Sequence, residues 1–325
     1  MAQDILQQLR VIRESSLNSL EAKHQELLHR ALQRLEQEVV TIASSLPMQE
    51  SALFNTRLAI EIRPKLQRAI EELYLKPVQT FINDYDKIAG NIVATYGKLS
   101  EQIVNGKPLI PVEFKSITEA DLVTIQQLKK LAFTNFQNLG TEFTNTLAQE
   151  IYQSTLVGRS AGEMVQTIRD KINGIYQYSD NAKAQQLVEY ITNNPNGSEV
   201  ATAIDELKQN YGRTSQGDSF VKYASLIVQD SIMGFDGQFA KYRADEVGLT
   251  SYLYYGSLIK DSRDFCRIHA GKVYNEEQIS QIWANDSAQG RDQGSPFIVR
   301  GGYNCRHSWQ PVDPSWIDEN GESTI

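Results

Sequence analysis

The chain has 325 residues, of which 41% are hydrophobic and 22% charged, which excludes a disordered polypeptide and allows two or three cored domains. A formal net charge of −8 opposes a function built on broad attraction to nucleic acid, because phosphate recognition needs clustered Lys and Arg. Two cysteines exclude a disulfide framework and point to a reducing compartment, no apolar run approaches membrane-spanning length, and charges interrupt the place where a signal peptide would have its apolar core.

Residues 1–105 read as a long-helix region. Apolar residues recur at helical spacing from Asp4 to Leu46, and from Leu28 through Leu32, Leu35, Val39, Ile42 and Leu46 the steps alternate between four and three. That pattern predicts a helix with a narrow seam, packed in a bundle and stopped by Pro47. A second helical stretch runs from Ser51 to Tyr96, and its Pro64 and Pro77 are expected to break or kink it. The segment 104–118, VNGKPLIPVEFKSIT, carries two prolines and a glycine and marks the domain boundary of the first half.

A central helical region occupies 106–218. Ser116 with Glu119 has capping-box spacing, so a long helix should start there and carry Leu122, Ile125, Leu128, Phe136, Phe143, Leu147 and Ile151 to near Leu156, with a bend at Gly140. A shorter helix with Met164, Ile168 and Ile172 on one face follows, capped by Ser160. Two more helical segments, Asn181 to Thr192 and Ser198 to Tyr211, flank the turn NNPNG.

In the region 219–325, Val228, Ile232, Phe235, Phe239 and Tyr242 are spaced as on one helix face, and the helix should end at Gly248. Gly234 and Gly237 in its middle weaken it, which points to close packing or a bend. SYLYYGS reads as a strand, KVY and FIVR as two further short strands, with a helix from Asn275 to Trp283 between them. The expected fold class is therefore mainly α, with a long-helix N-terminal bundle and a small C-terminal α+β module.

Both cysteines and two of the four histidines fall between Tyr254 and Pro311: Cys266 and His269 in DSRDFCRIHAGKVY, Cys305 and His307 in GGYNCRHSWQP. Cys-x-x-His in a turn lets a thiolate and an imidazole face one point, as tetrahedral Zn²⁺ requires, whereas Cys305 and His307 need a turn between them to converge. Spacing leaves open a structural zinc on Cys266, His269, Cys305 and His307, reduced buried thiols with surface histidines, or a Cys266–Cys305 disulfide. Asp261 and Asp264, with Arg263, Arg267 and Arg306 close by, also admit a metal-dependent nuclease or hydrolase. Four protein ligands on one zinc would leave no position for an activated water, which favours a non-catalytic site.

The run from Ser219 to Pro311 resembles the C-terminal domain of phage head-morphogenesis proteins, the phage Mu F-like minor head proteins that accompany the portal. The resemblance is carried by ASLIVQDSIM, VGLTSYLYYGS, DSRDFCRIHAG and GGYNCRHSWQP, in which Asp261, Arg263, Cys266, Gly271, Asn304, Cys305, Arg306 and Pro311 match the family pattern. His269 and His307 stand where that pattern more often has cysteine. A Thr-Glu pair of the family helix is replaced by Gln229 and Asp230, and Gly301 and Gly302 lie near the place of a histidine that often precedes the last Cys motif. The resemblance implies a tailed-phage virion structural protein, portal-associated and without enzymatic activity, with Zn²⁺ as a structural cofactor. It implies a place in the head or neck after synthesis in the host cytoplasm, and partners in the portal, the major capsid protein and further copies of the chain. No membrane is implied, and a DNA contact is left to Arg263, Arg267, Arg300 and Arg306.

Overall fold

A computed structural model describes residues 5–45, 52–104, 107–110, 116–156, 161–173, 220–285, 294–302 and 305–316, with a few scattered positions between 183 and 206. The narrow seam forms the inner face of helix α1 (Ile5–Ser44), where Leu28, Leu32, Leu35 and Val39 are almost completely buried. Burial of each such side chain contributes about 1.5–3 kcal/mol. Leu46 and Pro47 lie outside the described residues.

Pro64 does not break the second stretch: α2 (Ala52–Ile70) runs straight through it. The proline sits at an exposed position of the helix. Pro77 does disturb its helix. Residues Glu71–Leu75 form a π-helical turn in which the Lys76 N–H bonds the Glu71 carbonyl, and α3 (Lys76–Ile82) restarts with the proline second. Then come α4 (Tyr85–Ser100) and an antiparallel pair of two-residue strands, β1 (Ile103–Val104) with β2 (Lys107–Pro108), which begins one residue ahead of the expected boundary segment.

Helix α5 (Glu119–Leu156) starts where expected, but its cap is Thr118 and not Ser116. The Thr118 hydroxyl accepts from the Asp121 N–H (3.1 Å), while the Asp121 carboxylate accepts from the Thr118 N–H (2.6 Å). Asp121 wins over Glu119 because Arg243 also holds its carboxylate, at 2.8 and 3.0 Å. Gly140 makes no break in α5; a Cβ there would lie 3.0 Å from Ile70, so the glycine serves close packing. Helix α6 (Ala161–Asn173) buries Met164, Ile168 and Ile172 as expected. The Ser160 cap lies outside the described residues, as do nearly all positions of the segments 181–192 and 198–211.

Helix α7 (Phe220–Glu246) leads into strand β3 (Ser251–Tyr255), α8 (Asp264–His269), β4 (Val273–Asn275), α9 (Glu276–Asn285), α10 (Pro296–Val299) and β5 (Ser308–Val312). The expected strand FIVR is the one-turn helix α10, begun by Pro296 and capped by the Ser295 hydroxyl. Its backbone lies close to α7: a Cβ on Gly237 would come within 2.5 Å of the Phe297 carbonyl. The third strand is instead SWQPV, in a sheet of order β4-β3-β5 with both pairings antiparallel. Pro311 cannot donate to a ladder, and β5 takes the sheet edge, where that is tolerated.

The chain divides into two compact units, neither of them one continuous segment: Met1–His24 with Phe81–Phe133 and Val228–Ile325, and Gln25–Thr80 with Thr134–Ile227. The first contains the sheet. There Arg13 of α1 grips Asp236 of α7 through two hydrogen bonds, 2.9 and 2.5 Å, and Arg10 donates to Gln310 of β5 (2.9 Å). In the second unit Phe143 stacks on Phe220 at 4.0 Å, with Tyr74 edge-on to Phe220 at 4.7 Å. Among the described residues no helix is long and apolar enough to cross a membrane.

Candidate metal centre

Every residue of β3 and of β5 is buried, and their register puts Tyr254 opposite Trp309 and Tyr255 opposite Ser308. Cys305 and His307 therefore arrive just before β5 begins. His307 packs against Gly256, where a Cβ would come within 2.8–2.9 Å of the imidazole and its Cα, so the absent side chain makes the space. Helix α8 brings Cys266 to the same place, and its neighbour Phe265 meets the Tyr254 ring edge-on at 5.5 Å.

Cys305 is held by Arg300, the one described non-glycine residue with positive φ (61°), which is 1% exposed. Its Nε donates to the Cys305 carbonyl (3.0 Å), its Nη2 to Asp230 of α7 (2.9 Å), and its Nη1 to the Ile298 carbonyl. Asp230 thus anchors the arginine that anchors Cys305.

Cys266, Cys305 and His307 are 3%, 3% and 4% exposed, and one donor atom from each lies within 4.8 Å of the others. The sulfurs stand 3.7 Å apart, far beyond a disulfide bond of about 2.0 Å, so both cysteines are free. His307 Nδ1 is 3.7 Å from the Cys305 sulfur, and its Nε2 is buried without a hydrogen-bond partner. The Tyr254 hydroxyl lies 3.4 Å from the Cys266 sulfur and 3.5 Å from that of Cys305.

The two thiols behave as a pair. The hydrogen bond to Cys305, and then burial, push Cys266 up; the same bond, with donors on His307 and Tyr254, pulls Cys305 down against its burial. Burial, reinforced by the two cysteines, drives the Tyr254 hydroxyl far above its ordinary value. Two buried cysteine sulfurs beside an imidazole are a donor set suited to a soft or borderline metal ion, so this group of three could bind one.

His269 is not one of the three. Its Nδ1 is hydrogen-bonded to the Tyr274 hydroxyl at 2.8 Å, and its ring packs on Phe265 at 4.6 Å. Asp261 and Asp264 are exposed and stand outside the group. Arg267 donates to the carbonyls of Ser262, Ile259 and Lys260, and Arg306 to Glu21 (3.0 Å). Sequence reasoning passed over Tyr254, which read only as a strand former, and Asp230, whose signal was its place in the helix motif. Gly301, read only as lying near the place of a family histidine, leaves room at the site: a Cβ there would lie 2.5 Å from the Tyr254 hydroxyl, 2.6 Å from the Cys266 sulfur and 2.9 Å from the Cys305 sulfur.

No protein-family model matches the chain, and neither the curated proteins nor the solved structures yield a match.

Proposed function

We propose that the chain is a non-enzymatic assembly protein of a tailed-phage virion, a minor head or portal-associated component, whose C-terminal module is stapled by a structural zinc on Cys266, Cys305 and His307. The observation that carries the staple is the burial of all three donors, each at most 4% exposed. A catalytic zinc keeps one position open to water or substrate, and a sealed donor set does not serve that purpose. The virion assignment rests on the motif resemblance between Ser219 and Pro311. Its partners are the portal or the major capsid protein together with further copies of the chain, and its place is the head or neck of the particle. The exposed Leu122, Val123 and Leu131 of α5 suit helix-on-helix association. A DNA contact would draw on Arg263, Arg267, Arg300 and Arg306, of which Arg300 is buried and bonded to Asp230, while the exposed Arg267 and Arg306 donate to Ser262 and Glu21.

Elemental analysis of the purified chain should find one zinc per chain, and chelation or Cys305→Ser should lower the melting temperature of the C-terminal module. A zinc-free preparation that melts alike with and without chelator would refute the staple. Absence of the chain from isolated virions would refute the assembly role.

A further inference from the structure

Cys-x-x-His spacing offers His269 as the fourth ligand, but the fold puts a different atom beside the two sulfurs. A tetrahedral zinc with sulfur at about 2.3 Å and oxygen at about 2.0–2.2 Å has sulfur–sulfur edges of about 3.8 Å and sulfur–oxygen edges of about 3.5 Å. The corresponding separations here are 3.7 Å between Cys266 and Cys305, and 3.4 and 3.5 Å from the Tyr254 hydroxyl to the two sulfurs. The edge from Cys305 to His307 Nδ1, 3.7 Å, is close to the roughly 3.6 Å that sulfur and imidazole nitrogen require.

The tyrosine is also held as a ligand should be. Its backbone N–H donates to the Lys272 carbonyl (3.0 Å) and its carbonyl accepts from Gly271 (2.8 Å), which ties the middle of β3 to the chain just after α8. Its ring lies between Trp309 at 4.4 Å and Phe265 at 5.5 Å, and runs nearly parallel to the His307 ring at 5.3 Å. Among the described residues its hydroxyl has no hydrogen-bond partner besides the two sulfurs. Gly301 closes one face of the triangle formed by the hydroxyl and the sulfurs, and only a residue without Cβ fits there. His269, by contrast, is tied to Tyr274.

We propose that the fourth ligand of the centre is the oxygen of Tyr254, not His269; the proposal rests on the zinc reading above. As Zn²⁺ binds, the Tyr254 O–H and the thiol S–H bonds break heterolytically, the protons leave to solvent, and the oxygen and sulfur lone pairs bind the ion. No electrons are exchanged.

The test is a zinc titration of the full chain, followed by near-ultraviolet absorption for tyrosinate and by competition with a chromophoric chelator, run beside Tyr254→Phe and His269→Ala. The parent chain should develop a tyrosinate band that saturates at one zinc per chain. Tyr254→Phe, which keeps the ring packing, should lose the band and bind at least about 10-fold more weakly, while His269→Ala should keep both band and affinity. Zinc binding by the parent without a tyrosinate band overturns the proposal and leaves the staple standing. Loss of affinity in His269→Ala with Tyr254→Phe unaffected overturns it too. A parent chain that binds no zinc removes the staple and the proposal together.

Discussion

Both compact units bury aromatic rings, but they differ in how deeply they bury charge. The unit formed by residues 1–24, 81–133 and 228–325 buries charge: Arg13 with Asp236, Arg243 with Asp121 and Arg300 with Asp230 join positions 70 to 223 residues apart. The unit formed by residues 25–80 and 134–227 packs Phe143 on Phe220 and Tyr74 against both Phe136 and Phe220, and its Arg169–Glu36 pair stays 10% and 13% exposed. Aromatic packing contributes area and modest geometric preference. A buried ion pair contributes little net stability, but it is costly to break from one side, so it dictates which element meets which. The unit that must hold two sulfurs and an imidazole in register carries the more deeply buried pairs, Arg13–Asp236 and Arg243–Asp121.

Breaking each kind of contact should expose the contrast. Asp236→Ala leaves Arg13 charged and unpaired at 5% exposure, and should destabilise the first unit by about 3–5 kcal/mol in chemical denaturation. Phe143→Ala should cost the second unit a similar amount, about 3–5 kcal/mol, through a cavity. Replacing Arg13 and Asp236 together with apolar residues should restore most of the first loss, whereas no second change near Phe143 short of refilling the cavity should restore the other.

Acid should separate the units next. His24 is fully buried between Phe81 and Tyr85, with Asp84, Lys23 and Lys87 as the charges around it. Burial lowers its pKa from 6.5 to about 4, and the two lysines offset part of the pull of Asp84. The unfolded chain therefore takes up this proton first. The stability tied to His24 is complete above pH 6.5 and falls between there and pH 4, by on the order of 2–3 kcal/mol. Asp170, in the second unit, has its pKa raised by burial from 3.8 to about 6, so the folded state takes up that proton first and gains stability as pH falls from 6 toward 3.8. Hydrogen exchange followed from pH 7 to 4 should show protection falling in the first unit relative to the second. Parallel loss in both would erase the contrast.

The smallest effect sharpens a local assignment. Thr118→Ala should cost about 1 kcal/mol in thermal denaturation, and Ser116→Ala almost nothing. The reverse order would restore Ser116 as the cap.

The residues that misled the sequence reading did so for physical reasons. Ser116 and Thr118 are equally good caps on paper, and the choice fell to Arg243, a residue 122 positions from the carboxylate it fixes. FIVR has strand composition, yet Ser295 and Pro296 start a turn of helix whose backbone nests against Gly237. SWQPV carries a proline, which interrupts a ladder, and the sheet order places this strand at an edge where that is tolerated.

For the site, the amino-acid sequence by itself determined the inventory: two cysteines and two histidines within some fifty residues, glycines beside them, and a helix whose spacing aims one face inward. Short-range periodicity is enough for that, because helix faces and ligand spacings are properties of a few consecutive residues. Which donors meet was decided by tertiary structure alone. The β3–β5 register sets Tyr254 across from Trp309 and delivers His307 to Gly256, while Asp230 and Arg300 hold Cys305 in place. A pairing register and a buried ion pair are contacts between distant segments, so no local pattern announces that Tyr254 stands beside the two sulfurs and His269 beside Tyr274.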